Sequence, residues 1–580
     1  MNETVVESLK SHLLTIYPDH DPEQLTTRLI TAFWPDGTQP DVSPREPSST
    51  LWGERDSVVI TYGDTLRDGR RPPLEVLHEF LKDNLTDAIT GVHILPFCPF
   101  SSDDGFAVVD YTKVNAMLGG WPQIEAISSD FKLMADLVLN HASSHCAWFS
   151  QFRAGQAPGR DYFVTADPQS DLSKVVRPRP SELLKPVETP EGLKHVWCTF
   201  GHDQVDMNFA NPEVLLEFVR ILRLYINKGV RIVRLDAVAF LWKEANTSCL
   251  HLPQTHELIR LLRTLVNFTS EDVVLITETN VPNEENLTYF GNQNEAHAIY
   301  NFSLPPLMIH GLLAGTSDHL KSWMMRMPPA PEGCTYLNFI AGHDGIGMRP
   351  TDGLLEEDER NKMIEAITSF GGLVSTRLGR KGNVRPYELN ISLFDALKGT
   401  LDGPDDLQIE RFLCSQSIMM ALEGVPAFYI HSLLATPNDY ELREKRNHNR
   451  SINRHSWDYD EVQSLLADPD TTHAIVFKEL IRQIRIRAEQ SAFHPNATQF
   501  TLHLGSDLLG FWRQSRDRRQ SIFVIANMTA SEKIVSLNDL NLISGETWTD
   551  LLTDWSVSSL YEDVHLKPYQ CLWITNQIRT

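Results

Sequence analysis

The stretch Gly229 to Ala237, GVRIVRLDA, decides the fold. Side chains alternate faces along a strand, so Arg234 and Asp236 share one face and Val233 and Leu235 the other. If the apolar face meets a layer of outer helices, the charged pair points into the mouth of a parallel barrel, where barrel active sites sit. The adjacent guanidinium favours an ionised carboxylate, as a nucleophile requires. Taken alone, the pair serves equally well as a structural ion pair.

Working outward, seven more short runs resemble this one: VVITY (58–62), GVHILP (91–96), KLMADLVLN (132–140), VVLITET (273–279), AIYNF (298–302), TYLNFIAG (335–342) and VPAFYI (425–430). Helix-length segments, such as Pro212–Asn227 and Thr255–Val266, separate most of them. Strand alternating with helix predicts a parallel sheet, and eight such units predict an α/β fold of the closed (β/α)₈ (TIM) barrel type. The interval from Asn140 to Val230 is too long for a simple connection; its Pro-, Gly-, Ser- and Asp-rich part predicts an inserted B domain after strand three. A second long interval holds GRKGNVRPYELN (379–390), whose glycines predict a loop that moves during the reaction. Beyond residue 495, FTLHLG, LLGFWRQ, SIFVIANM and QCLWITN predict a small all-β domain. At the other end, Val5, Val6, Leu9, Leu13 and Leu14 fall at helical spacing, followed by a Pro-rich connector from Pro35 to Pro47. The predicted organisation is an N-terminal helical extension (1–55), a barrel (56–141 and 207–492), the B domain (142–206) and a C-terminal β domain (493–580).

Composition narrows the function. The 580 residues carry 52 Lys+Arg against 76 Asp+Glu, a net charge of −24. That excludes a general nucleic-acid binder or an anionic-membrane binder, both of which need basic surface, but leaves room for a local basic pocket. No apolar run is long enough to cross a membrane, and the opening MNETVVESLKSHLL predicts no secretory leader. The 7 cysteines are dispersed without a CxxC pair, which predicts reduced thiols in a cytoplasmic protein rather than a disulfide frame or zinc site.

More acids lie at predicted strand ends. Glu278 emerges from the buried run VVLITETN, where a carboxylate is costly without a task or a partner. His343 and Asp344 follow another strand in NFIAGHDGIG; by itself this segment reads as an ordinary turn. In ADLVLNH, Asp136 and Asn140 read as structural hydrogen-bonding groups and His141 as a site residue. Acids from different strands of one barrel can converge, and a carboxylate pair suits glycosyl transfer: one attacks the anomeric carbon and the other protonates the departing oxygen. A third can stabilise the positively charged transition state.

In order and spacing, ADLVLNH, RIVRLDAVA, LITETN and FIAGHDGIG resemble the four signature regions of the α-amylase superfamily, glycoside hydrolase family 13. The resemblance implies Asp236 as nucleophile, Glu278 as general acid/base and Asp344 as transition-state stabiliser, with Arg234, His141 and His343 as sugar-binding neighbours. LPFCPFSSDDGFAVVDY, SKVVRPRPSELL, VWCTFGHDQVDMNFANPEVL and RPYELNISLFDAL are similar to the sucrose phosphorylase branch. Within that branch, FLWKEANTSCLHLPQTH, LITETNVPNEENLTYFG and YNFSLPPLMIH resemble the glucosylglycerate phosphorylases nearly end to end. That resemblance implies small-molecule substrates: glucosylglycerate and inorganic phosphate, giving glucose 1-phosphate and glycerate. It implies that Arg179 and Tyr387 contact phosphate, that Arg177 and Arg385 serve phosphate or the glycerate carboxylate, and that Asp103 and Arg454 hold glucose, with Asp104 and Arg450 as alternatives. Gln204 is an acceptor-side candidate. No cofactor and no metal are expected, although Asn140 matches a calcium-linked position of many amylases. The rival acceptors are sucrose 6′-phosphate, sucrose and glucosylglycerol; the rival reaction is hydrolysis.

The residue chemistry points the same way. A phosphorylase admits phosphate where the leaving group departs, and arginine's planar fork matches phosphate oxygens. Arg177 and Arg179 in VVRPRP and Arg385 beside Tyr387 are basic features of a strongly acidic chain; solvated loops are the other reading of these arginines.

Overall fold

The computed structural model describes residues 3–35, 37, 51–179, 181–269, 272–378, 384–540, 542–543, 546–553 and 555–576. All eight predicted runs form strands: β1 Val58–Thr61, β2 Gly91–Ile94, β3 Lys132–Val138, β4 Val230–Asp236, β5 Val274–Thr277, β6 Ala298–Tyr300, β7 Thr335–Asn338 and β8 Val425–Tyr429. They close into a parallel barrel in sequence order, with β8 pairing β1. A strand covered on both sides reads as a near-continuous apolar run; every residue of β1, β2, β5, β6, β7 and β8 is buried.

The entry to β4 shows how local chemistry fixes this. The preceding helix, Pro212–Asn227, starts at Asn211, whose side chain accepts the Glu213 amide, with Pro212 in its first turn. Its inner face buries Val214, Leu215, Phe218, Leu222 and Tyr225, each worth roughly 1.5–3 kcal/mol. The chain then reverses at Gly229, with φ +92°, where a Cβ would lie 2.1 Å from the Ser128 hydroxyl, so glycine is required. Parallel register then sets Asp136 of β3 level with Arg234 of β4.

Between β3 and β4, His141–Ser143 pairs antiparallel with Gln204–Asp206, and Leu184–Thr189 forms a hairpin with Gly192–Trp197. After β7, Ile346–Gly347, Leu373–Leu378 and Val384–Asn390 form a three-stranded antiparallel sheet. Residues 379–383 of the segment predicted to move lie outside the described residues. The four C-terminal runs form a five-stranded antiparallel sheet with Thr549–Asp550.

At the N-terminus, α1 (Glu3–Ile16) and α2 (Pro22–Phe33) lie against barrel helices. Val5, Leu9 and Leu13 are buried as their spacing predicts, whereas Leu14 is 51% exposed. His12 lies 2.6 Å from Glu257, and the Tyr17 hydroxyl donates to the Phe209 carbonyl at 2.8 Å. Among the described residues no helix is long and apolar enough to cross a membrane.

Candidate active site

Asp236 is the last residue of β4, and the chain turns immediately through Ala237, held at φ +50°. A non-glycine residue in this left-handed region is strained. The turn aims the Ala237 amide at Glu278, whose Oε2 accepts it at 2.9 Å. Arg234 reaches both acids: Nη1 lies 2.6 Å from Asp236 Oδ1 and Nη2 lies 4.0 Å from Glu278 Oε2. Behind it, Asp136 bonds Arg234 and, at 2.7 Å, His93. Thus Asp136 is the structural group its sequence position suggested, and it fixes the guanidinium between the two acids.

Burial raises the pKa of Asp236, and Glu278 and Asp136 raise it further, while Arg234 opposes them. Glu278 is also raised, by burial and then by Asp344 against the pull of Arg234. Two neighbouring buried carboxyls hold one proton more readily than two charges. Of the two, Asp236 makes the closer contact to Arg234, while Glu278 accepts the Ala237 amide.

Asp344 follows β7. Burial favours its neutral form, but Arg450, with Nη1 at 2.5 Å, and Arg454 outweigh this and keep it ionised. His343 stays neutral, burial pushing it down to about 3; its ring stacks on Phe106 at 5.1 Å and meets Tyr62 edge-on. Arg454 donates to the His343 carbonyl at 2.8 Å and pairs with Asp104, which also bonds Arg446.

Asp103 and Asp104 both adopt positive φ, which sends their side chains to different partners. Gln204 Nε2 bonds Asp103 at 2.9 Å and lies 3.2 Å from His141 Nε2. The pairing of Ser143 with Gln204 brings this trio together. Burial makes Asp103 harder to ionise, but Arg450, Arg179 and Arg454 keep its pKa low. Burial also lowers the pKa of His141, which remains neutral. Asn140 lies deeper: its Oδ1 and Asp206 Oδ2 each sit 2.6 Å from the Lys243 ammonium, so a side-chain cation fills the space between them.

Glu278 also lines a second pocket, walled by Arg177, Arg349, Arg377, Tyr387, Phe200 and Phe240 among others. Arg179 stands beside it, its guanidinium 5.5 Å from the Tyr387 ring centre and 3.7 Å from Glu388. Arg385 does not line this wall: it is exposed, opposite Arg377 across the hairpin. The arginine of this hairpin that lines the pocket is Arg377. Sequence reasoning also missed Tyr62, Phe106 and Arg349. Arg349 follows HDGIGM in the same connection as Asp344, a position that could have signalled it.

Three acids around an inward arginine at the mouth of a closed parallel barrel define a glycoside-active barrel of the α-amylase class. Residues 82–327 match the alpha amylase catalytic domain family. The chain is 41% identical over 572 residues to a glucosylglycerate phosphorylase of Allomeiothermus silvanus, covering 98% of each chain. It is 40% identical over 529 residues to one of Spirochaeta thermophila, covering 90% of each. The crystal structure of a sucrose 6F-phosphate phosphorylase from Thermoanaerobacter thermosaccharolyticum shares the fold, with a TM-score of 0.72 at 24% identity, over 90% of this chain and 99% of that one. The chain belongs to the glucosylglycerate phosphorylase family.

Proposed function

We propose that this enzyme cleaves 2-O-α-glucosylglycerate with phosphate, giving α-glucose 1-phosphate and glycerate with retention. The carrying observation is the placing of Arg234 between the two carboxyls, 2.6 Å from Asp236 and 4.0 Å from Glu278; in our reading the closer carboxyl is the ionised one and Glu278 carries the proton. Protonated Glu278 gives its proton to the bridging oxygen while Asp236 attacks C1, forming a β-glucosyl ester. Glycerate leaves and phosphate enters. Glu278, now a carboxylate, takes a proton from phosphate as it attacks C1 and expels Asp236. Two inversions give net retention. Asp344, kept ionised by Arg450, stabilises positive charge at C1 in both steps.

Asp103, His141, His343 and Arg454 hold the glucose, and Gln204, expected on the acceptor side, joins them through its bonds to Asp103 and His141. Arg177, Arg179 and Tyr387 face the incoming anion. The role raised for Arg385 passes to Arg377, which lines the pocket. We place the enzyme in the cytoplasm, in keeping with seven free, buried cysteines.

Incubating the enzyme with glucosylglycerate, with and without phosphate, tests the reading. Phosphate-dependent release of α-glucose 1-phosphate is expected, with sucrose and sucrose 6′-phosphate turned over more slowly. Free glucose at a similar rate without phosphate would make the protein a hydrolase.

A further inference from the structure

The pocket beside Glu278 holds three guanidinium groups that the catalytic acids do not pair. Among the described residues, Arg177 Nε and Nη2 and Arg377 Nε are buried without a hydrogen-bond partner. Arg349 has a long contact to Glu285, at 3.3 Å, and Glu285 is also 3.0 Å from His251. The other nearby acid, Glu388, is held by Arg450 at 2.9 and 3.1 Å. Burial weakens the charged form of both Arg177 and Arg349. Unpaired buried cationic nitrogens are costly, and a chain of net charge −24 has carboxylates to spare for neutralising them. A wall left this way fits an anionic ligand.

We propose that Arg177, Arg349 and Arg377 form one anion seat that phosphate and the acceptor's carboxylate occupy in turn, and that this seat extends the acceptors from glycerate to small 2-hydroxy carboxylates as a class. The inference rests on the reading that Asp236 and Glu278 carry out glucosyl transfer. Its chemical basis is reach. In a 2-hydroxy acid the carboxylate is one bond from the carbon bearing the reacting oxygen. In phosphate the charged oxygens share the phosphorus atom with the reacting oxygen. Both ligands therefore place negative oxygens at a similar distance from Glu278, and the planar guanidinium forks match either anion. In synthesis, the acceptor's 2-hydroxyl attacks C1 of the glucosyl ester, the C1–Asp236 bond breaks, and the hydroxyl proton passes to Glu278. A polyol of the same size supplies no charge and leaves the arginines unpaired.

The test uses α-glucosyl fluoride as donor, so that phosphate is absent unless added, and measures transfer to D-glycerate, D-lactate, L-lactate and glycerol. The wild-type enzyme is expected to glucosylate glycerate and at least one lactate, and glycerol far less. Arg349→Met and Arg377→Met should each lower the glycerate-to-glycerol ratio of kcat/KM by about 10- to 100-fold, and raise KM for phosphate by a similar factor. Arg349→Lys and Arg377→Lys should recover part of both, which separates lost charge from lost packing. An unchanged ratio, or a ratio that falls without a change in KM for phosphate, would overturn the shared seat. Refusal of both lactates by an enzyme that accepts glycerate would overturn the acceptor class. A wild-type enzyme that transfers glucose to no hydroxy acid, yet phosphorolyses another donor, would instead count against the proposed function, and the effect of the arginine variants on phosphate KM would then decide the seat.

Discussion

The two ends of the active-site pocket differ in how far their arginines are paired: among the described residues, Arg454 leaves Nη2 without a hydrogen bond at one end, and Arg177 and Arg377 lack a paired carboxylate at the other. Toward Asp344, arginines are tied to carboxylates: Arg450 to Asp344 and Glu388, Arg454 to Asp104, and Arg234 to Asp136 and Asp236. Toward the far side of Glu278, Arg177 and Arg377 keep buried nitrogens unpaired. Paired groups stay in place before substrate arrives, which suits a glucose subsite whose geometry must serve both half reactions. Unpaired groups gain most when an anion binds, which suits a subsite whose occupant changes from glycerate to phosphate. The lesson is that a fixed subsite is read from its bonds and an exchanging one from its missing bonds.

The largest effect should come from the paired end. Asp236→Asn removes the proposed nucleophile, and turnover of every donor should fall by about four orders of magnitude or more, measured as release of glucose 1-phosphate. Lys243→Met tests whether pairing at this end is also structural: it leaves the buried Asp206 carboxylate without its cation, held only by hydrogen bonds from Thr199 and Asn140, and should cost about 3 kcal/mol in chemical denaturation. By contrast, Arg28→Ala, which breaks a pair whose side chains are 42% and 43% exposed, should cost under about 1 kcal/mol. Arg450→Met frees Asp344 from its strongest partner, so the Asp344 pKa rises. The acid limb of the pH profile of kcat/KM should therefore move to higher pH, with a loss of about 10- to 100-fold at the optimum. The smallest effect is expected at the exposed hairpin position: Arg385→Ala should change kcat/KM for phosphorolysis by less than about threefold, far less than a change at Arg377.

The sequence made the barrel legible because most of its strands are buried on both faces and stand out as near-continuous apolar runs, while β4 shows itself by the alternation of Arg234 and Asp236 with Val233 and Leu235. The acids were legible because strand ends converge at one mouth, which places Asp236, Glu278 and Asp344 near one another wherever the loops go. The acceptor wall was not. Arg377 and Arg385 are direct partners across one hairpin, so strand alternation places both on one face and does not show which lines the pocket. Arg349 sits on a short turn after Ile346–Gly347, whose direction depends on tertiary packing rather than periodicity. Asp103 and Asp104 are adjacent and chemically identical, and only their left-handed backbone separates their partners.

Glucosylglycerate and glucosylglycerol present the same glucose to the paired end and differ at the unpaired end by a carboxylate against a hydroxymethyl group. The ratio of their kcat/KM values for phosphorolysis by one enzyme preparation isolates that end. A preference for glucosylglycerate of at least about 100-fold, as several charged hydrogen bonds would give, is predicted. Equal values would contradict the division between a fixed glucose subsite and an anion-reading acceptor subsite.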